Sequence, residues 1–172
     1  GKGTFYRHFE TKENLFRETV RRGMRLLRAH LASAQELVGD PLDAGAAALR
    51  AYLAFFDDHP EFIELFIQER AEFRDQRRST YFEYQEEDAD GWRELTRALI
   101  ATGRFRSLPP DRIVTVVNDL LYGTLFTSLF AGHDRPLADQ ADGILDILFH
   151  GILSESERDA RPSGTGPEDG VL

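Results

Sequence analysis

The sequence has no cysteine, one methionine and one tryptophan. Without cysteine there is no disulfide, no thiolate metal site and no cysteine nucleophile. A cysteine-free chain fits a reducing compartment. Long apolar runs are scarce too. The most apolar stretch, Leu120 to Gly132, falls short of a hydrocarbon layer about 30 Å thick. The opening residues are polar and aromatic and carry no apolar leader core. The expectation is a soluble cytoplasmic protein that makes no use of a membrane. There is no Gly-rich phosphate loop and no GxSxG elbow. A di-iron bundle needs Glu-x-x-His pairs. The residues three before His30, His59, His133 and His150 are Leu27, Phe56, Phe130 and Ile147. The histidines are too scattered for metal-ligand spacing. These absences predict no enzyme, no metal and no cofactor. Glu61 with Glu64, and Glu69 with Glu72, read as solvated helix faces.

What is present is an ordinary globular composition, 41% hydrophobic and 30% charged over 172 residues. That length suits one domain, or one and a fragment. The net charge of −9 is unevenly spread. The first thirty residues hold eight Lys/Arg against three acids; the rest hold thirteen against twenty-seven. A basic end on an acidic body is either a polyanion-facing surface or a solvated basic helix face.

The periodicity is helical throughout, with Gly and Pro between the helical windows. A short helix is expected over Lys2 to Phe9. Thr11 then stands as an N-cap, with Glu13 in the first turn and Asn14 in the capping-box position. A long helix follows to about Val38, with the apolar stripe Phe16, Val20, Met24, Leu27, Leu31. Further helices are expected over Leu42–Asp58, Glu61–Arg74, Tyr81–Thr102, Asp111–Ala131 and Pro136–Leu153. Residues Arg74 to Thr80 are either a linker or a helix continuation. Gly103 reads as a C-cap. From Ser154 the chain is polar and rich in Gly, Pro and acids, the composition of a disordered tail.

The opening "GTFYRHFETKENLF" resembles the end of the helix-turn-helix of TetR-family transcriptional regulators. Gly3, Thr4, Phe5, Tyr6, His8, Phe9, Lys12, Leu15 and Phe16 fit the family's pattern in one uninterrupted register. The chemistry is compatible. Lys2, Gly3 and Thr4 are small or polar, as the end of a helix near base edges must be. Phe5 and Phe9 share a face suited to anchoring. Tyr6, Arg7 and His8 remain to donate to phosphates. Lys12 opens the next helix, where the dipole favours an anion. The resemblance implies DNA contacts at Lys2, Thr4, Tyr6, His8 and Lys12. It also implies two earlier helices, absent before Gly1, so this chain by itself is expected to bind DNA poorly.

The resemblance thus implies an all-α, TetR-like bundle in three parts. Residues 1–16 would be the remnant of the DNA-binding domain, 17–153 a ligand-binding and dimerisation domain, and 154–172 the tail. The two C-terminal helices carry more apolar surface than one core face needs, so a homodimer is expected through Leu121, Leu125, Ser128, Leu145, Leu148 and Ile152, the alternative being that these residues belong to the chain's own core. The middle helices offer Phe55, His59, Phe62, Phe66, Tyr81, Tyr84, Trp92, Asn118, Tyr122 and Phe126 as walls and anchors for a small hydrophobic or aromatic effector. For any single one of these aromatics, an ordinary place in the core is the commoner role. Glu64, Glu69 and Glu72 would admit a cationic effector. The implied partners are operator DNA, an effector and a second copy, with the effector relieving repression. A ligand-independent helical regulator or adaptor is the alternative.

Overall fold

The computed structural model describes residues 11–73, 79–131 and 135–151. The first ten residues, with Lys2, Gly3, Thr4, Tyr6, Arg7 and His8, lie outside the described residues, as do Ile152 and the tail.

Thr11 caps α1 (Lys12–Glu36), its Oγ1 accepting from the Asn14 N–H at 3.0 Å. The expected stripe is buried at Val20, Met24 and Leu27, and Gly23 joins it. Asp40 starts α2 (Pro41–Asp58). Its carboxylate accepts from the N–H groups of Leu42 and Asp43, and Pro41 supplies the fixed first turn. α2 is the central helix, burying Leu49, Tyr52, Leu53, Phe55 and Phe56 among small alanines. Pro60 opens α3 (Pro60–Glu72).

Ser79 precedes α4 (Thr80–Ala101). Gly103, at φ +71°, ends it in the left-handed conformation. The Gly103 N–H reaches the Ile100 carbonyl and the Arg104 N–H reaches that of Leu99, the paired bonds of a Schellman cap. Arg104 then bonds the Asp40 carboxylate at 2.6 Å, joining the end of α4 to the start of α2. That guanidinium, and the two backbone N–H bonds after it, hold the Asp40 carboxyl below the ordinary range.

α5 (Pro110–Ala131) is the long apolar helix that the sequence predicts. At 22 residues and mean hydropathy 1.5 it is long and apolar enough to cross a membrane, beyond what the Leu120–Gly132 run suggests. After it the sequence predicts one helix over Pro136–Leu153. The structure divides this into a 3-10 turn (Ala138–Gln140) and α6 (Ala141–His150). The break has a distant cause. The Asp57 carboxylate, at the end of α2, accepts from the N–H groups of Leu137 and Ala138 at 2.7 and 2.8 Å. Gly151, at φ +76°, stops α6.

The contacts divide the chain into two units, with the boundary between Ala141 and Asp142. The first holds α1 to α5 around an apolar centre. Within the second, α6 has Asp142 in its first turn and His150 in its last, with His150 Nδ1 3.0 Å from Asp146.

Candidate functional site: an aromatic core, a clasped helix start and an exposed apolar face

Aromatic side chains from four helices form one connected cluster. In α2, Phe55 stacks on Phe62 of α3 at 5.9 Å and meets Phe56 edge-on at 5.3 Å. Phe56 touches Phe66, which lies 4.8 Å from Tyr81 of α4. Tyr81 contacts Tyr122 of α5, and Tyr122 continues to Phe126 at 4.2 Å and Phe130 beyond. A polar thread runs inside it. Gln85 Nε2 donates to the Tyr81 hydroxyl at 2.6 Å, and the Tyr81 and Tyr52 hydroxyls share a bond of 2.7 Å. Burial pushes both phenols above their ordinary value of 10.0, so both stay neutral. Tyr122, less buried, is raised for the same reason, opposed by the charge of Arg70.

Beside this cluster sits a buried carboxylate. Glu69, on α3, is 1% exposed. Both its oxygens accept from the Thr80 N–H at 3.2 Å, and one also accepts from the Thr80 hydroxyl. It therefore caps the start of α4, where the helix dipole favours a negative charge. This corrects the reading of Glu69 as a solvated residue and removes it from any cation site.

The start of α1 is held at the α3–α4 junction. Lys12 Nζ lies 2.6 Å from Glu72 and 5.9 Å over the Phe16 ring. Phe16 meets Phe73 edge-on at 5.6 Å, and Arg17 bonds Glu83 of α4 at 3.3 Å. Further along, Arg28 pairs with Asp88 and Glu87, and its guanidinium covers the Tyr84 ring at 5.3 Å. Arg25 pairs with Glu18. Within α1 the basic side chains from Lys12 to Arg28 stay largely exposed while most of them make ion pairs with α3, α4 or their own helix.

α5 presents two apolar stripes on opposite faces. Val114, Leu121 and Leu125 face inward, and Leu125 is fully buried. The predicted interface residues Leu121 and Leu125 therefore lie in the chain's own core. The stripe on the opposite face, Val116, Leu120, Gly123, Thr127 and Phe130, is exposed, with Phe130 at 72%. Its spacing of four and three residues is that of a helix-pairing seam. An open depression of about 320 Å³ lies along it, lined by Asp119, Leu120, Gly123, Thr124, Thr127, Ser128 and Gln140. In α6, Leu145 is buried, Leu148 half-buried and Ile147 exposed.

No protein-family model matches the sequence, and no curated protein does. Solved structures do match. The TetR-family transcriptional regulator PfmR from Thermus thermophilus aligns with a TM-score of 0.71 at 18% identity, covering 90% of this chain and 84% of that one. The chain has the TetR-regulator fold. FadR from Bacillus subtilis, a transcriptional regulator solved with stearoyl-CoA, aligns at 0.74 and 14% identity over 89% and 83%. The ketosteroid transcriptional regulator KstR2 of Mycobacterium tuberculosis aligns at 0.70 and 21% over 89% and 79%.

In this TetR-type fold the predicted effector residues separate into groups. Phe55, His59, Phe62, Phe66, Tyr81, Tyr122 and Phe126 belong to the connected cluster. Phe55, Phe66 and Tyr81 are buried in it. Tyr84 packs under Arg28 instead, and neither Tyr84 nor Trp92 makes a ring contact with the cluster among the described residues. Asn118 is half-buried on α5. Sequence reasoning missed Tyr52, Gln85 and the Glu69–Thr80 pair. The first two carried a signal in their helical spacing from Phe56 and Tyr81; the third had none, because its partner lies eleven residues away across a break.

Proposed function

We propose that this chain is the effector-binding and dimerising body of a cytoplasmic DNA-binding transcriptional regulator, a repressor, carrying the end of its helix-turn-helix at residues 1–16. The observation that supports it most is the TetR-type fold joined to the GTFYRHF motif, which leads directly into α1. DNA would be contacted by Lys2, Gly3, Thr4, Tyr6, Arg7, His8 and Lys12, with the phosphate contacts fixing position and the first residues nearer the bases. The effector would be a hydrophobic or aromatic molecule entering among the ring-bearing helices α2 to α5. The cationic option loses Glu69, which is bonded to Thr80, and keeps the exposed Glu64 and Glu72. Binding would shift the population of α1 orientations and so the spacing of two recognition helices, which must match half-sites about 34–36 Å apart.

The second copy would cover the exposed α5 stripe. Ser128 stays in this surface from the sequence expectation; Val116, Leu120, Gly123 and Thr127 join it. Leu148 remains the proposed contribution of α6, and Ile152, outside the described residues, that of the chain after it; Leu145, expected there too, is buried like Leu121 and Leu125. Asp119 and Asn118 in mid-helix favour a protein partner for α5 over lipid.

The test is a thermal-shift screen of this chain against long-chain acyl, steroid and aromatic compounds. A dose-dependent rise in melting temperature for one class supports the sensor. A folded dimer that responds to none supports the ligand-independent regulator, a reading that the closed packing of Phe55, Phe66 and Tyr81 favours.

A further inference from the structure

We propose that Glu72 is an internal competitor of DNA: it holds the Lys12 ammonium that a phosphate must take over, and so sets the free protein's threshold for binding. The inference rests on the assignment of Lys12 as a phosphate contact.

Three observations carry it. Lys12 is the first residue of α1, so a phosphate there would meet its ammonium at the positive end of the helix dipole. The same ammonium is occupied within the chain, 2.6 Å from Glu72. And the pair is built into its surroundings. Phe16 lies beneath Lys12 and against Phe73, while the Phe73 N–H closes the end of α3 onto the Glu69 carbonyl at 2.9 Å. The Glu69 side chain in turn fastens Thr80, the first residue of α4. Glu72 therefore stands at an end of α3 that is tied to the first residue of α4 through Glu69, and its grip on Lys12 depends on how α1 lies against it.

The pair is open to solvent, with the two side chains 61% and 50% exposed. An exposed ion pair is weak and exchangeable. A DNA phosphate, backed by the charge density of the duplex, displaces Glu72 at modest cost. Any state in which α1 settles closer to the junction tightens the competitor, and any state that lifts it frees the cation. The contest is thus one place where a change in the body of the molecule is converted into DNA affinity.

The experiment is a double-mutant cycle on DNA affinity, in a chain carrying the whole helix-turn-helix ahead of residue 1. The variants are Glu72→Gln, Lys12→Gln and both together, with operator affinity read by fluorescence anisotropy at several salt concentrations and melting curves confirming the fold. The expected result is that Glu72→Gln tightens binding about two- to fivefold at low salt, with the gain fading as salt screens the pair. In the Lys12→Gln background the same change does nothing. An equal gain in both backgrounds overturns the proposal, because Glu72 then acts through the general field of the protein. No gain in either, with Lys12→Gln weakening binding, overturns it too. If Lys12→Gln leaves affinity untouched while the protein binds its operator, the DNA role of Lys12 fails and the contest falls with it; that outcome is recognised by the Lys12 variant alone.

Discussion

Glu69 is a carboxylate removed from water, and its worth depends on Thr80. Its two oxygens satisfy the N–H and hydroxyl that open α4. Removing the acceptor leaves a buried donor unpaired, which costs about 1–3 kcal/mol. Glu69→Ala is therefore expected to lower the unfolding free energy by about 2–3 kcal/mol in urea, and Thr80→Ser, which keeps both donors, by much less. Equal losses for the two would show that packing and not the cap carries the effect. The Tyr52–Tyr81 pair makes a pH prediction. Burial raises both folded-state phenols above the 10.0 of the unfolded chain. Their contribution is complete below pH 10 and is lost as the pH rises beyond it, because only the unfolded chain releases those protons. Each phenol adds a slope of up to about 1.4 kcal/mol per pH unit. Tyr81→Phe should unfold with a shallower alkaline slope than the parent; parallel slopes would sink the assignment.

The helices show what their own sequences encode and what they do not. Thr11, Pro60 and Gly103 each mark a helix end by local chemistry, and those ends fall within two residues of expectation. The α6 start is not readable in the sequence, since Asp57, which caps the turn before it, is 80 residues back in the chain. The two stripes of α5 are visible as a surplus of apolar residues, but which stripe faces inward is decided by the neighbours. Leu121 and Leu125 therefore lie inside where the sequence predicts an outward position. Glu69 escapes sequence reasoning for the same reason: its helix places it near Glu72, and only the arrival of α4 buries it. Gly23 is another case. A Cβ built there would collide with one edge of the Phe62 ring on α3, so the glycine is a notch for close approach of α1. Gly23→Ala gains helix propensity of about 1 kcal/mol and meets the ring. Overpacking of this kind costs about 1–3 kcal/mol. The expected balance is destabilisation, relieved when Phe62→Leu is added. A stabilised Gly23→Ala would mean that α1 and α3 separate freely.

For the assembled molecule, the exposed α5 stripe is the feature that a lone chain leaves unexplained. A helix of mean hydropathy 1.5 with little of its apolar window buried needs a cover in water. Gly123 and Thr127 at its middle permit a close crossing, while Val116, Leu120 and Phe130 supply the apolar area. A self-complementary helix face closes into a two-fold dimer without leaving further sites open. The fold and the stripe together make the outcome separable from simple unfolding. Leu120 is exposed within the chain, so Leu120→Glu should leave the helical circular-dichroism signal intact and halve the mass seen by light scattering. Leu125, fully buried five residues on, should behave oppositely, with Leu125→Glu losing the cooperative transition altogether. A Leu120→Glu variant that stays dimeric would move the interface off this face, and a parent chain that is monomeric at micromolar concentration would remove it.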